Sequence, residues 1–124
     1  MGKDFHIYLL LPHQWEHCNK KNLKIITIQE PVDIWVNIKD DKTGKNMIEA
    51  FYKNQEKYSF EFQMMAYISR LEKLKNAIRS STLSSSDKKY DFIICERSLE
   101  TDKHVFCKML YDEKKIDTYG YQIY

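Results

Sequence analysis

The sequence predicts an α/β fold in which a parallel sheet is flanked by helices. Three observations carry this expectation. Two short, β-branched apolar runs, "LKIITIQ" (23–29) and "YDFIIC" (90–95), stand far apart in the chain. A long stretch of helical periodicity separates them. Only 3 Gly and 2 Pro punctuate 124 residues, too few for a turn-rich all-β architecture. Apolar strands joined by helical crossovers pair in parallel and are expected to be covered on both faces.

Composition sets the outer bounds. With 43% hydrophobic and 14% aromatic residues the chain can fill the core of one ordinary domain. Twenty basic and 18 acidic side chains leave a formal charge of +2, which argues against a partner such as nucleic acid recognised by charge alone. Cys18, Cys95 and Cys107 are an odd set without C-x-x-C spacing. They read as reduced thiols in a soluble, cytoplasmic protein. No apolar run approaches the ~20 residues of a membrane helix. "FHIYLLL" follows Asp4 and ends at Pro12 without a small-residue cleavage site, so a signal peptide is not expected. Gly2 does not suggest myristoylation, because His6 stands where Ser or Thr is required.

Taken in order, "FHIYLLLP" reads as a strand and "HQWEHCNKKN" as a polar connection. Residues 23–29 read as a fully buried strand whose exit is marked by Pro31, which lacks a ladder donor. "DIWVNIKD" opens a helix, "DKTGKN" (41–46) is a loop, and "MIEAFYKN" resumes helical spacing. From Lys57 to Ser80 runs the clearest helix. Phe60, Met64, Tyr67, Leu71, Leu74 and Ile78 form its apolar stripe, read as core packing or a helix–helix seam. "SSTLSSSDKK" (80–89) is a polar loop. Residues 90–95 form the second strand, which stops at Glu96-Arg97. A helix follows, N-capped by Ser98, with Glu100 and Asp102 in its first turn. Leu99, Val105, Phe106, Met109 and Leu110 supply its apolar side.

Chemistry concentrates at two places. Ligands of open parallel sheets bind beyond the carboxyl ends of the strands. Both strands end there in an acid, Glu30 and Glu96, and Arg97 stands beside the second. A single acid would read as a helix cap or surface charge; two acids with an arginine read equally well as a site. On the long helix, Gln63, Ala66 and Arg70 step by 3 and 4 and so share a face, flanked by Phe62 and Met65. An amide, a small residue and a guanidinium suit a flat heteroaromatic ring with donor and acceptor edges. The competing reading leaves Gln63 and Arg70 in solvent, where such side chains are mostly found.

"EPVDIW" (30–35), "FYKNQEKYSFEFQMMAYISR" (51–70) and "ERSLETDKHVF" (96–106) resemble the deoxyribonucleoside kinase family, in the family's order. "KMLYDEKKIDTYGYQIY" continues the resemblance. It covers Leu23 to Tyr124, a partial kinase domain matching about the middle half of a full member, and leaves 1–22 as an unmatched segment. The resemblance implies a P-loop kinase-like parallel sheet flanked by helices, incomplete here because only the central part of the family fold is represented. It implies ATP-dependent 5′-phosphorylation of a deoxynucleoside with Mg²⁺, by a homodimer built on helix packing that binds neither nucleic acid nor membrane. By the same resemblance Glu30 matches the carboxylate that takes the 5′-hydroxyl proton. Glu96 matches the acid near magnesium, and Arg97 the arginine beside the transferred phosphoryl group. Gln63 matches the amide that pairs with the base edge, and Phe62 and Phe106 the rings enclosing the base. Tyr52 matches a residue on the sugar 3′-hydroxyl, and Trp35 and Phe51 match pocket walls. Ala66, Arg70 and Asp102 match positions that set base preference; Arg with Asp resembles the deoxycytidine and purine-deoxynucleoside branch.

The sequence also departs from the family. It holds no G-x-x-x-x-G-K-[ST] phosphate loop, and Gly2-Lys3 is followed by Asp4, which would repel a phosphate. The family's arginine-rich lid and adenine-binding loop have no counterpart either. A nucleoside pocket cannot replace those electrostatics. The chain is therefore expected to be a fragment with little or no kinase activity of its own. The alternative is a non-catalytic remnant that binds nucleoside or pairs with an intact subunit. His13, His17 and Cys18 are close enough to suggest a metal, but Gln14 replaces the glutamate of H-E-x-x-H and no metal centre is expected there. Lysine-rich stretches at 20–24, 73–75 and 114–115 read as solvated faces.

Overall fold

The computed structural model describes residues 22–83 and 90–124. The expected strand "FHIYLLLP" and the His13, His17, Cys18 group lie outside them. Strands β1 (Ile25–Ile28) and β2 (Phe92–Cys95) pair in parallel, Ile25 opposite Phe92 and Ile28 opposite Cys95. Helices α1 (Val32–Trp35), α2 (Met47–Lys53) and α3 (Gln55–Leu83) come between them in sequence. After β2, α4 (Leu99–Thr101) runs into a π-helical segment (Asp102–Cys107), continues as α5 (Lys108–Asp112), and is followed by α6 (Thr118–Ile123). The α/β order, the parallel pairing and the long helix agree with expectation. None of the described helices is long and apolar enough to cross a membrane.

The chain divides into two units, one within Met1–Glu30 and Glu72–Arg97, the other Pro31–Leu71 with Ser98–Tyr124. In the first, the two-residue period of a strand turns Ile26, Ile28, Ile93 and Cys95 to one face. Leu74, Ala77 and Ile78 of α3 pack on that face. Ile25, Phe92 and Ile94 on the other face are half-buried and Thr27 is exposed. The expected burial of "LKIITIQ" on both faces is thus corrected: among the described residues, one face is covered by a helix. At the amino ends, the Lys24 N–H donates to Asp91 Oδ2 (2.8 Å) and the Asp91 N–H to the Lys24 carbonyl (2.6 Å), which pins the register.

In the second unit Phe51, Cys107, Leu110 and Ile116 form the core, with Phe60, Phe62, Tyr121 and Tyr124 packed against it. Helix α2 starts where it does because Asn46 and Glu49 close a capping box, each side chain accepting from the other's backbone N–H at 2.9 Å. Ser98 caps α4 as expected, its Oγ accepting from the Thr101 N–H at 3.0 Å. Helix α5 ends with Lys114 in the left-handed region (φ 60°), and the N–H groups of Lys115 and Ile116 both donate to the Leu110 carbonyl (2.8 and 3.1 Å). That turn aims Ile116 into the core.

Asp117 Oδ1 then accepts from the Gly120 N–H (2.7 Å) to cap α6. A Cβ on Gly120 would lie 3.0 Å from Ile116 Cγ2 and 3.1 Å from Phe60 Cδ2. Gly120→Ala is therefore expected to cost about 1–3 kcal/mol through overpacking. A lower urea midpoint at unchanged m-value would show it.

The helix faces are more mixed than periodicity predicts. The stripe Phe60, Met64, Tyr67, Leu71, Leu74 and Ile78 is half-buried, with Phe60, Leu74 and Ile78 packed against the cores, while the residues α3 buries most fully are Ser59, Gln63, Ala66, Ser69, Arg70, Ala77 and Ser81. Ser69 and Arg70 find polar partners on that side, whereas Ser59 Oγ and Gln63 Oε1 are buried without one among the described residues. Beyond Ser98, Val105 (54% exposed) and Met109 face solvent, whereas Asp102 and Cys107 are buried. The cause is the π-helical segment, whose i→i+5 bonds widen the turn and shift the phase of every residue after it. Cys95 and Cys107 are free and buried, and desolvation pushes both thiols up, which keeps them protonated.

Candidate functional site

The site residues form two clusters, one in each unit. The first is at the carboxyl tips of the strands. Register places Glu30 and Arg97 each two residues past the paired Ile28 and Cys95, and the ladder continues through a bond from the Glu96 N–H to the Ile28 carbonyl (3.1 Å). The Glu30 N–H donates to Glu96 Oε2 at 3.2 Å, and Arg97 Nε lies 3.1 Å from Glu30 Oε1. Both acids and the arginine therefore converge. The Glu30–Arg97 pair is partly open to water, so it contributes at most about 1 kcal/mol to stability. Chemically it is a carboxylate held in place by a guanidinium, able to accept a proton from a hydroxyl in reach.

The fit of a metal and a nucleotide can be tested on this cluster. Mg²⁺ is held by one or two carboxylates together with substrate phosphates and water. Glu96, exposed at the tip, fits as one such ligand. No group of three His, Cys, Asp or Glu suited to a metal occurs among the described residues. ATP phosphates require a cradle of backbone N–H groups and a lysine, and the sequence holds no G-x-x-x-x-G-K-[ST]. The residues of this cluster do not supply that cradle.

The second cluster is built on α3. Arg70 Nη1 meets Asp102 Oδ2 at 2.5 Å, a pair in which the side chains are 9% and 1% exposed. The guanidinium also lies 5.2 Å from the Trp35 ring centroid. Trp35 Nε1 donates to Ser69 Oγ (2.9 Å), which in turn donates to the Met65 carbonyl (2.7 Å). Phe62 meets Trp35 edge-on, 5.7 Å between centroids, and stacks on Phe51 at 4.3 Å. Gln63 and Ala66 are buried on the same α3 face as Arg70. The solvent-facing reading of Gln63 and Arg70 is overturned.

Trp35, Phe51, Phe62 and Arg70 with Asp102 are thus linked by direct contacts. Phe106 is half-buried in the π-helical segment that begins at Asp102. Tyr52 touches Phe51 edge-on but is 73% exposed.

Three further polar atoms belong to this unit. Ser59 Oγ, Gln63 Oε1 and the Tyr124 hydroxyl are buried without a hydrogen-bond partner among the described residues. Burial pushes the Tyr124 phenol well above the usual tyrosine range, and the nearby Asp102 carboxylate adds to the effect. Ser59 was legible in principle, since it precedes Gln63 by one helical turn. Tyr124 carried no local signal; its contact with Tyr67 (5.3 Å between centroids) spans most of the unit's sequence.

The family model for deoxynucleoside kinase matches residues 16–124. The sequence is similar to deoxycytidine kinase 1 of Xenopus laevis, 27% identical over 116 residues, which covers 85% of this chain and 43% of that protein. It is similar to deoxycytidine kinase of Homo sapiens, 28% identical over 108 residues, covering 78% of this chain and 40% of that protein. Deoxycytidine kinase 2 of Gallus gallus is 26% identical over 136 aligned positions, with 99% of this chain and 46% of that protein covered. The chain spans less than half the length of these curated relatives.

Proposed function

The chain belongs to the deoxynucleoside kinase family, and on that premise we propose that it is the nucleoside-recognising portion of an ATP-dependent deoxynucleoside 5′-kinase. One observation carries the reading: the unpartnered, buried Gln63 Oε1 shares a helix face with the buried Arg70–Asp102 pair. A buried acceptor left unsatisfied costs about 1–3 kcal/mol. The exocyclic amino group of a base such as cytosine would remove that cost by donating to it. Asp102 holds the Arg70 guanidinium for a second polar contact, while Trp35, Phe51, Phe62 and Phe106 enclose the ring. Tyr52 takes the sugar hydroxyl, and Ala66 leaves room for the base. Glu30 accepts the 5′-hydroxyl proton, Arg97 spreads charge on the phosphoryl oxygens, and Glu96 carries Mg²⁺. Deoxycytidine is the substrate we favour, from the names of the relatives. The proposal extends to a homodimer, which sedimentation tests directly, and to a cytoplasmic location, which cell fractionation tests.

Gln63→Leu separates recognition from folding. It removes an unpartnered acceptor and is expected to raise thermal stability slightly while abolishing the heat of deoxycytidine binding measured by calorimetry. Absence of heat from the unaltered chain, or equal heat from Gln63→Leu, would sink the reading. For these 124 residues by themselves the missing phosphate-loop motif favours binding without phosphoryl transfer. Incubation with labelled ATP, Mg²⁺ and deoxycytidine is expected to give no product. Transfer that disappears in Glu30→Gln would show instead that the chain is a competent kinase.

A further inference from the structure

A cleft of about 440 Å³ lies in the second unit and shares no lining residue with either cluster. Lys39, Lys45, Lys53 and Lys57 line it, against the single acid Asp40. Asp40 is already engaged, its Oδ1 accepting from the N–H groups of Lys42 (2.7 Å) and Thr43 (3.2 Å). None of the four lysines is ion-paired to a carboxylate among the described residues. Lys57 has other support: its Nζ lies 4.9 Å from the Tyr58 ring centroid. The neighbouring Tyr58 phenol, Glu61 and Asp40 hold its ammonium up.

Lys53 is in the opposite situation. The Lys45 ammonium beside it holds it below the usual lysine range. Two cations brought together repel, and an anion seated between them reverses the sign of that interaction.

The backbone under these lysines is fixed. Lys39 and Asn46 form an antiparallel bridge, the Asp40 N–H donates to the Lys45 carbonyl (3.0 Å), and the Met47 N–H donates to the Ile38 carbonyl (2.9 Å). The amide and hydroxyl side chains of Asn46, Asn54 and Thr43 also line the cleft, over a floor of Ile38, Met47 and Ala50. Lysine binds phosphate as a compact point charge. Four ammonium groups at one cleft offer more positive charge than a single phosphate needs and so suit a chain of phosphates. A nucleic acid would instead need a basic stripe along the surface.

From the four lysines that line one cleft, the Lys45–Lys53 pair among them, and the bridged loop that holds two of them, we infer that this cleft binds a small polyanion carrying a phosphate chain. The inference is independent of the nucleoside reading. The 124-residue chain is titrated by calorimetry with tripolyphosphate at low ionic strength, where surface charge is least screened. Saturable binding is expected, weakened about tenfold or more in Lys45→Gln/Lys53→Gln. Lys103→Gln/Lys108→Gln removes the same formal charge from another element and is expected to change affinity less than about twofold. Cytidine triphosphate in a parallel arm distinguishes sources. Affinity equal to tripolyphosphate means the phosphate chain alone is read; tighter binding with the same sensitivity means the Ile38–Met47 floor takes the nucleoside as well. On the unaltered chain, the Lys53 side-chain resonance should titrate at higher pH once tripolyphosphate is present. No saturable binding below about 1 mM, equal losses in the two double variants, or an unmoved Lys53 titration would each overturn the inference.

Discussion

Asp102→Ala is expected to destabilise the unit of residues 31–71 and 98–124 by about 3–5 kcal/mol, the cost of leaving one partner of a buried ion pair alone. Both side chains are almost completely withdrawn from water. The carboxylate facing the Arg70 guanidinium and the Trp35 ring both offset its desolvation. Urea unfolding followed by circular dichroism measures the loss. Arg70→Met/Asp102→Leu tests the cause, since replacing both charges by apolar groups removes the desolvation cost along with the attraction. That double variant is expected to recover most of the stability and yet to bind no deoxycytidine. If Asp102→Ala loses less than about 1 kcal/mol, the pair is solvated and there is no buried polar site.

Trp35→Ala is expected to cost about 3–5 kcal/mol, as for other large-to-small changes at a buried aromatic. Helix α1 has four residues, far below the length at which a helix persists by itself. It is held by what Trp35 does: the indole N–H bond to Ser69, the edge contact with Phe62, and the stacking position against Arg70. Trp35→Phe keeps a ring and loses the N–H, so its cost should be about 1 kcal/mol, one hydrogen bond plus a small void. Thermal melts give the two values. Hydrogen exchange at the α1 amides should accelerate in Trp35→Ala well beyond the rest of the unit. Uniform acceleration would mean that α1 is held by something other than this side chain.

Much of the architecture was legible because it rests on local pattern. β-branched runs gave both strands, 3.6-residue periodicity gave α3, and Ser98 announced its cap. The convergence of Glu30, Glu96 and Arg97 followed from a register that any parallel pairing of those two strands must adopt within a residue or two. What periodicity could not show was which face of α3 goes inside. Hydropathy selects the stripe from Phe60 to Ile78. Ser69 and Arg70 are instead buried, because Trp35 and Asp102 bind them on that side, and Ser59 and Gln63 are buried with them. Asp102 is remote from Arg70 in sequence, and no local rule ranks it above any other acid near a helix start. The short helix α6 was missed for a related reason: its cap, Asp117, is ordinary, but its core contact depends on the left-handed turn at Lys114.

The wide helical turn between Asp102 and Cys107 has a consequence for how the chain tolerates change. At positions 105 and 109 oily side chains meet water, and polar replacements there would leave the fold untouched. At 102 and 107 an acid and a thiol occupy the interior, where even isosteric exchange is felt. Hydropathy alone would send Val105 and Met109 inside and Asp102 outside, the reverse of where they lie.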